Sequence, residues 1–175
     1  MKDNLLVKLA TNNDANLIKN LINEMYGIEY EKREISQIEV AIVKENEIYS
    51  IAMLEGEVVG FCGASIISKG LSSIDYIYVC KNHRNLTTAY ECLKVVFNKL
   101  IKLGINSAHL QVQTYNKQRF LHYALSDKNI IKEEDIEWKG VIYKDQILLI
   151  ENLQSVVNLS LKELIKKAHL YSKSK

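Results

Sequence analysis

Residues 72–89 read SSIDYIYVCKNHRNLTTA, and this stretch decides the fold class. Its first half, as far as Val79, is rich in β-branched and aromatic residues, which favour a strand. A polar loop follows, and from Thr87 to Gly104 apolar residues recur at three- and four-residue spacing, which predicts a helix with one buried face. The start of such a helix presents backbone N–H groups, and Lys81 and Arg84 add positive charge there. The junction therefore predicts an anion site, although a plain strand–helix connection would have the same appearance.

The rest of the chain alternates between the same two patterns. Glu55-Gly56-Glu57 separates two β-rich runs and predicts a hairpin. The other predicted strands lie at residues 5–10, 107–115, 129–133 or 135–138, and 141–150. Predicted helices run from residue 13 or 14 to Gly27, over residues 35–42 and 116–127, and as one amphipathic helix beyond residue 150. This order is typical of an α/β protein with helices on both faces of a mixed sheet.

Composition and charge argue against several classes of protein. The net charge of +2 is too small to favour a nucleic-acid partner. No stretch approaches the roughly 20 apolar residues of a membrane helix, so we expect no membrane contact and a cytoplasmic location. Cys62, Cys80 and Cys92 have no CxxC spacing, and the four histidines have no HExxH spacing. We therefore expect reduced thiols and no metal site.

The junction at Arg84 resembles the best-known motif of the GNAT superfamily of acyl-CoA N-acyltransferases. In that motif a strand ends in Val, and Arg or Gln followed by x-x-Gly-x-Gly or Ala leads into a helix. Arg84 stands five residues after Val79, and Ala89 occupies the final Gly/Ala position. Thr87 departs from the pattern, because the family has a glycine there that lets backbone amides approach the pyrophosphate of coenzyme A. The side chain of Thr87 would either crowd that approach or donate its hydroxyl to a phosphate oxygen.

A second motif follows residues 107–115. Asn116 and Tyr123 have the spacing at which the family places an Asn that contacts pantetheine and a Tyr that protonates the departing thiolate. A phenol with a pKa of about 10 suits that proton transfer. Asp127 stands where the family's Tyr-x-x-x-Gly-Phe continuation has glycine, and Glu57-Val58-Val59-Gly60-Phe61 resembles the family's strand after the hairpin turn.

The resemblance covers residues 5–150 and implies the GNAT fold, a central mixed and largely antiparallel sheet of six to seven strands flanked by helices. It implies an N-acetyltransferase that brings acetyl-CoA and a primary amine together, so that the amine of a small molecule or peptide attacks the thioester directly. An amide of the strand before the loop would polarise the thioester carbonyl. The main chain that would pair with pantetheine is that of Ile77, Tyr78 and Val79. The pyrophosphate would contact Arg84 and the backbone amides of Asn85, Leu86, Thr87, Thr88 and Ala89.

A base must also remove a proton from the acceptor ammonium. Asp75 is the candidate, because two-residue alternation would place it on the strand face of Ile77 and Val79. It equally fits a polar residue of a partly exposed strand. Candidates to line the acceptor side are Glu24, Tyr26, Glu29 and Tyr30. We expect His83 and His122, near the two motifs, to be surface or capping histidines.

Two alternatives stay open from the sequence. One is a catalytically inactive GNAT-like protein that serves as a binding or regulatory module, and the other is a different α/β protein. The second would lack the parting of strands four and five that forms the cofactor cleft. We divide the chain into an acyltransferase domain, residues 1–150, and a C-terminal helix with a basic tail, residues 151–175. The apolar face of that helix must cover either this domain or a second subunit, which leaves a homodimer as one option.

Overall fold

The computed structural model describes residues 4–26, 46–114, 119–138 and 140–173. They form a seven-stranded sheet of order β1-β2-β3-β4-β5-β7-β6. The strands are β1 (Leu5–Leu9), β2 (Glu47–Leu54), β3 (Glu57–Ser68), β4 (Leu71–Val79), β5 (Ser107–Gln113), β6 (Ile130–Trp138) and β7 (Val141–Ile150). The α-helices are α1 (Ala15–Tyr26), α2 (Leu86–Lys102), α3 (Arg119–Ser126), α4 (Leu153–Val157) and α5 (Leu161–Lys173). Neighbouring strands are antiparallel except β4 and β5, which confirms the predicted mixed, largely antiparallel sheet.

Short polar segments set the ends of the helices. Thr11 and Asp14 form a capping box ahead of α1, in which the Thr11 N–H donates to the Asp14 carboxylate at 2.8 Å. At the C-terminal end of α2, Gly104 has a φ of 78° and the Ile105 N–H donates to the Leu100 carbonyl at 3.0 Å. This is a Schellman motif, which needs a residue that tolerates positive φ, and it explains why the helix ends at that glycine.

Apolar side chains cover both faces of the sheet. On one face α1 packs Ile18, Leu21 and Ile22 against the strands. On the other face lies the larger cluster, which includes Phe97 and Leu100 of α2, both 0% exposed. Burying one such side chain contributes about 1.5–3 kcal/mol, so these contacts fix where each helix lies on the sheet.

The two parallel strands part halfway along their length. Paired residues run only from Leu71 to Ile74 on β4 and from Ser107 to Leu110 on β5. Beyond those pairs β4 continues to Val79 and β5 to Gln113. The parting expected of a GNAT fold is therefore present, and it opens the sheet into a cleft.

The C-terminal segment forms two helices, where periodicity had predicted one. α5 starts at a capping box, in which the Ser160 N–H donates to the Glu163 carboxylate at 2.7 Å and the Glu163 N–H donates to Ser160 Oγ at 3.2 Å. The Tyr90 hydroxyl of α2 lies 2.5 Å from the Val156 carbonyl oxygen and 2.8 Å from that of Leu159. The break between the helices is thus tied to α2 of the same chain.

Other boundaries differ in smaller ways from those predicted. β6 is one strand, Ile130–Trp138, which spans both of the short alternatives. The helix predicted at residues 35–42 lies outside the described residues, and so does the start of the one predicted at 116–127. None of the helices in the described ranges is both long and apolar enough to cross a bilayer.

Candidate active site

A cleft of about 590 Å³ lies where β4 and β5 part. One wall is the end of β4 with the loop that leads into α2, and the other is β5 with the start of α3. The residues that line it are Met25, Ile74, Asp75, Tyr76, Ile77, Tyr78, Val79, Arg84, Asn85, Leu86, Ala89, Leu110, Gln111, Phe120, Leu121 and His122. The cleft therefore joins the strand–loop–helix junction to the second motif, although the two are far apart in sequence.

A β-bulge places Asp75 at the apex of this cleft. Gly63 of β3 is opposite Tyr76 and Ala64 is opposite Ile74, so Asp75 has no partner on β3. The ladder to β5 also stops at Ile74, so Asp75 is unpaired on that side as well. The strand register therefore skips Asp75 on both sides, and the residue is exposed and lines the cleft.

The bulge also interrupts the alternation from which the strand face of Asp75 was predicted. Ile74 and Ile77, three positions apart, both pack into the larger core cluster, whereas Tyr76 and Tyr78 pack with α1. Simple alternation would place residues three apart on opposite faces. The alternation is interrupted between Ile74 and Ile77, so it does not assign Asp75 to the face of Ile77 and Val79.

The loop after β4 presents the N-terminus of α2 to the cleft. Asn85 caps the helix, since its side-chain oxygen accepts a hydrogen bond of 2.7 Å from the Thr88 N–H. The N–H groups of Leu86 and Thr87, at the first two helical positions, have no acceptor within the helix. Arg84 lies beside them, with its Nε 3.5 Å from the Val79 carbonyl oxygen. This end of the cleft combines a positive side chain with the positive end of a helix dipole, and so it suits an anion.

The two threonines of the first turn have different surroundings. Thr87 is exposed and is absent from the described lining of the cleft, and its φ is not positive. Thr88 is 3% exposed and packs beneath the helix near Gly60, where a Cβ would lie 3.4 Å from Thr88 Cγ2. The backbone here does not require glycine at position 87.

Tyr78 connects the cleft to α1. Its hydroxyl donates to Glu24 Oε1 at 2.9 Å, and the Arg84 guanidinium lies 6.0 Å from its ring centroid. Burial, together with the hydrogen bond to Glu24, raises the pKa of Tyr78 to about 12. Tyr78 thus stays protonated at neutral pH and holds the end of α1, with Met25, against the cleft.

Tyr123 lies behind the cleft wall and does not line it. It is 6% exposed, and its hydroxyl donates to Gln146 Oε1 of β7 at 2.7 Å. Burial raises its pKa, the nearby Arg119 partly offsets that rise, and Glu133 adds to it. The neighbouring residues of α3, Phe120 and His122, reach the cleft instead.

The structure brings together most of the residues chosen from the sequence. Asp75, the backbone candidates of β4 and the loop residues Arg84 to Leu86 with Ala89 line one cleft, whereas Thr87, Thr88 and Tyr123 do not. Asn116, Glu29 and Tyr30 lie outside the described residues. Sequence analysis assigns no role to Gln111, which follows the last residue of β5 that pairs with β4, because only the strand register reveals that position. His122 was expected on the surface, yet it is half-buried in the cleft wall.

Comparison with known protein families tests the alternative of a different α/β protein. The model of the acetyltransferase (GNAT) family matches residues 15–123, a span that includes α1, the hairpin, the loop at Arg84 and Tyr123. The chain belongs to the GNAT acetyltransferase family. A search of curated proteins finds no significant match.

Solved structures share the fold of this GNAT protein at low sequence identity. The yncA protein of Salmonella typhimurium, solved with its cofactor acetyl-CoA, matches with a TM-score of 0.69 at 10% identity over 85% of this chain and 94% of that one. An N-acetyltransferase from Staphylococcus aureus Mu50 has a TM-score of 0.69 at 14% identity over 86% and 99%. A spermidine N-acetyltransferase SpeG chimera from Vibrio cholerae and hSSAT has a TM-score of 0.64 at 14% identity over 89% and 99%.

The cleft of this GNAT protein fits the parts of acetyl-CoA. Its anion-binding end suits a pyrophosphate, and the unpaired edge of β4 suits the amides of a pantetheine arm. Among the described residues, no group of three or more His, Cys, Asp or Glu side chains is placed to hold a metal ion.

Proposed function

We propose that this protein transfers an acetyl group from acetyl-CoA to the primary amine of a small molecule or peptide, by direct attack of the amine on the thioester. The observation that carries the proposal is the cleft at the parting of β4 and β5, with an unpaired bulge residue at its apex and a helix N-terminus at its mouth. Acetyl-CoA supplies an activated acyl group, so the protein needs no nucleophilic side chain.

At the mouth of the cleft, Arg84 and the first amides of α2 bind the pyrophosphate. Charge-assisted hydrogen bonds from a guanidinium to phosphate oxygens are roughly twice as strong as neutral ones. The Arg84 Nε now lies 3.5 Å from the Val79 carbonyl, too long for a strong hydrogen bond, so the side chain can turn to a phosphate at small cost. Thr87, whose side chain is outside the lining, leaves that approach open.

Along the cleft, the unpaired edge of β4 from Ile77 to Val79 pairs with the pantetheine arm, in place of the missing β5 ladder. At the apex, the bulge at Asp75 turns a backbone amide towards the thioester carbonyl. A preorganised N–H donor at that point stabilises the negative charge that develops on the oxygen when the amine attacks.

Two proton transfers complete the reaction. Asp75 accepts a proton from the acceptor ammonium, directly or through water, because it is an exposed acidic residue of the cleft lining. Tyr123 donates its hydroxyl proton to the departing thiolate, so that an O–H bond breaks, an S–H bond forms and the phenolate regains a proton from water. In this structure that hydroxyl is buried and bound to Gln146, so the bond must be released and the side chain must move into the cleft before the transfer.

The test is calorimetric titration of the whole chain with acetyl-CoA, followed by an assay of thiol release with a panel of primary amines. We expect micromolar binding that weakens roughly tenfold or more for Arg84→Ala, since hydrogen bonds to charged groups contribute about 1.5–3 kcal/mol. Lys99→Ala, at the far end of α2, is the matched control and should bind as the wild type does.

Asp75→Asn should retain binding and lose most of the turnover. Absence of binding at millimolar acetyl-CoA would refute the enzyme proposal. Binding without turnover on any amine would instead favour the catalytically inactive GNAT-like module.

A further inference from the structure

Gln111 of β5 lies across the parting of the sheet from Asp75. Ile74 and Leu110 are the last paired residues of the two parallel strands. Asp75 and Gln111 follow them, one on each side of the apex, and both are exposed and line the cleft. Gln111 is therefore placed where the proposed reaction brings the thioester and the amine together.

The side chain of Gln111 lies on the face of the sheet opposite α2. Its neighbours on β5, Leu110 and Val112, are buried in the core cluster that includes Phe97 of α2. Successive side chains of a strand point to opposite faces, so Gln111 points to the face on which α1 packs. A cofactor whose pyrophosphate is bound at the start of α2 reaches the apex from the α2 side, which leaves the Gln111 side for the acceptor amine.

The orientation of the Gln111 amide is set by Asp145 of β7. Nε2 of Gln111 donates to Asp145 Oδ2 at 2.7 Å, and Nε2 of Gln113 donates to Oδ1 of the same carboxylate at 3.2 Å. An ionised carboxylate only accepts hydrogen bonds, so the Gln111 amide must turn its nitrogen towards β7. β4 and the cleft lie on the other side of β5. The amide oxygen, Oε1, is thus the polar atom of Gln111 that remains for a ligand.

An amide oxygen at this point favours an acceptor that carries N–H groups. An attacking amine must direct its lone pair at the thioester carbon and its N–H bonds elsewhere. In the proposed reaction Asp75 takes one proton, and Gln111 Oε1 accepts a hydrogen bond from an N–H that the nitrogen keeps. This bond strengthens as positive charge develops on the nitrogen during the attack, so it stabilises the transition state more than the bound amine. An alcohol has no second hydrogen to donate once Asp75 has taken its proton.

We propose that Gln111 binds and orients the acceptor amine through Oε1, and that Asp145 is a positioning residue that holds the Gln111 amide in the required orientation. This inference rests on the proposed function, in which an amine attacks acetyl-CoA at the apex. It adds to that function a residue that distinguishes an amine from an oxygen nucleophile.

The experiment measures the binding of two unreactive analogues of the joined substrates by calorimetric titration. They are the methylamide and the methyl ester of S-carboxymethyl coenzyme A, which differ only by an N–H in place of an oxygen. The N–H of the methylamide stands in for the N–H that the attacking amine keeps. We expect Gln111→Met to lower the preference for the amide, the Kd of the ester divided by that of the amide, roughly two- to tenfold. This is the equivalent of one neutral hydrogen bond, and the Kd of the ester should stay unchanged.

Two further variants separate the role of Gln111 from that of its neighbours. Gln113→Met is the matched control, because Gln113 donates to the same carboxylate but is absent from the described lining of the cleft, so the amide preference should stay unchanged. Asp145→Asn tests the orientation. An asparagine can donate as well as accept, so the Gln111 amide can flip, and the preference should fall by part of the amount seen for Gln111→Met.

An unchanged preference in Gln111→Met, or an equal fall in Gln113→Met, would overturn the inference. Weaker binding of both analogues alike by Gln111→Met would also overturn it, since that result places the residue against the cofactor. An unchanged preference in Asp145→Asn would refute the positioning role of Asp145. If neither analogue bound the wild type, the proposed function would fall together with this inference, whereas binding without an effect of Gln111 would refute this inference alone.

Discussion

Gly60 of β3 lies close to both β4 and the start of α2. A Cβ at this position would lie 2.8 Å from the Tyr78 carbonyl oxygen, 3.3 Å from Val79 Cγ2 and 3.4 Å from Thr88 Cγ2. Gly60→Ala must therefore displace the backbone of β4 by about 0.6 Å to reach the 3.4 Å at which ordinary contacts begin. Tyr78 and Val79 line the cleft, so the same displacement alters the proposed binding surface.

The expected loss of stability follows from these distances. Overpacking a well-filled site costs about 1–3 kcal/mol. Alanine has less conformational freedom than glycine in the unfolded chain, and this offsets about 0.4–1 kcal/mol of the cost. From the middle of each range the net loss is about 1.3 kcal/mol, which lowers the Tm of a chain of this size by about 3–5 °C. Urea denaturation gives the free energy of unfolding, and calorimetric titration with acetyl-CoA should show weaker binding by the folded variant.

Gly104 provides the contrast, because no atom lies within 4 Å of its Cβ position and its φ is 78°. There Asn should be tolerated better than Ala, since Asn accepts positive φ. At Gly60 the side chain lacks space, so the larger Asn should lower the free energy of unfolding more than Ala does. An alanine at Gly60 that left both stability and acetyl-CoA affinity unchanged would refute the reasoning from close contact.

Three further perturbations test separate parts of the molecule. Thr87→Gly, which restores the family's residue, should change the calorimetric Kd for acetyl-CoA by less than about threefold, because the exposed threonine lies outside the cleft lining; a large gain in affinity would show that Thr87 crowds the site. Asp14→Asn should cost about 1–2 kcal/mol at pH 7 in urea denaturation, because it removes the negative charge and leaves one acceptor oxygen in place of the two that accept from Thr11 and Lys8. Burial raises the pKa of Asp14 in the folded state, but the hydrogen bonds from Thr11 and Lys8 outweigh it and lower the pKa overall. The difference in the free energy of unfolding between wild type and variant should therefore vanish as the pH falls through that pKa. A difference that is independent of pH would contradict this reasoning. Tyr78→Phe removes the hydrogen bond to Glu24 and should raise the KM for the amine more than that for acetyl-CoA in steady-state assays, because it frees the end of α1; equal effects on both would argue against that role.

Local sequence signals predict the structure correctly where it depends on residues that are close together in the chain. The hairpin at Glu55 and Gly56 has φ values of 52° and 88°, as a two-residue turn requires. Asp127, at the family's glycine position, likewise has a φ of 51°. The S-x-x-E pattern of Ser160 and Glu163 indicates a helix start within the C-terminal segment, whereas the apolar periodicity continues across it and predicts a single helix.

The candidate site was only partly predictable, because its residues meet through strand register. Whether Asp75 is paired depends on how β3 and β5, from other parts of the chain, align with β4. The role of Gln111 depends on the same alignment. Spacing identified Tyr123 by resemblance, but the direction of its hydroxyl depends on Gln146, which lies 23 residues further along the chain.

The sequence by itself determined most of the strands and helices that the structure describes, where a helix N-terminus with Arg84 follows a strand, and which family the pattern resembles. These properties depend on propensity, capping and periodicity, which act over a few residues. Only the tertiary structure decided that β4 and β5 part after Ile74, that a bulge leaves Asp75 unpaired at the apex, and that Tyr123 is bound to Gln146 behind the cleft. The physical reason is that pairing register and buried hydrogen bonds arise between residues distant in sequence, where packing of the whole sheet selects one alignment among many.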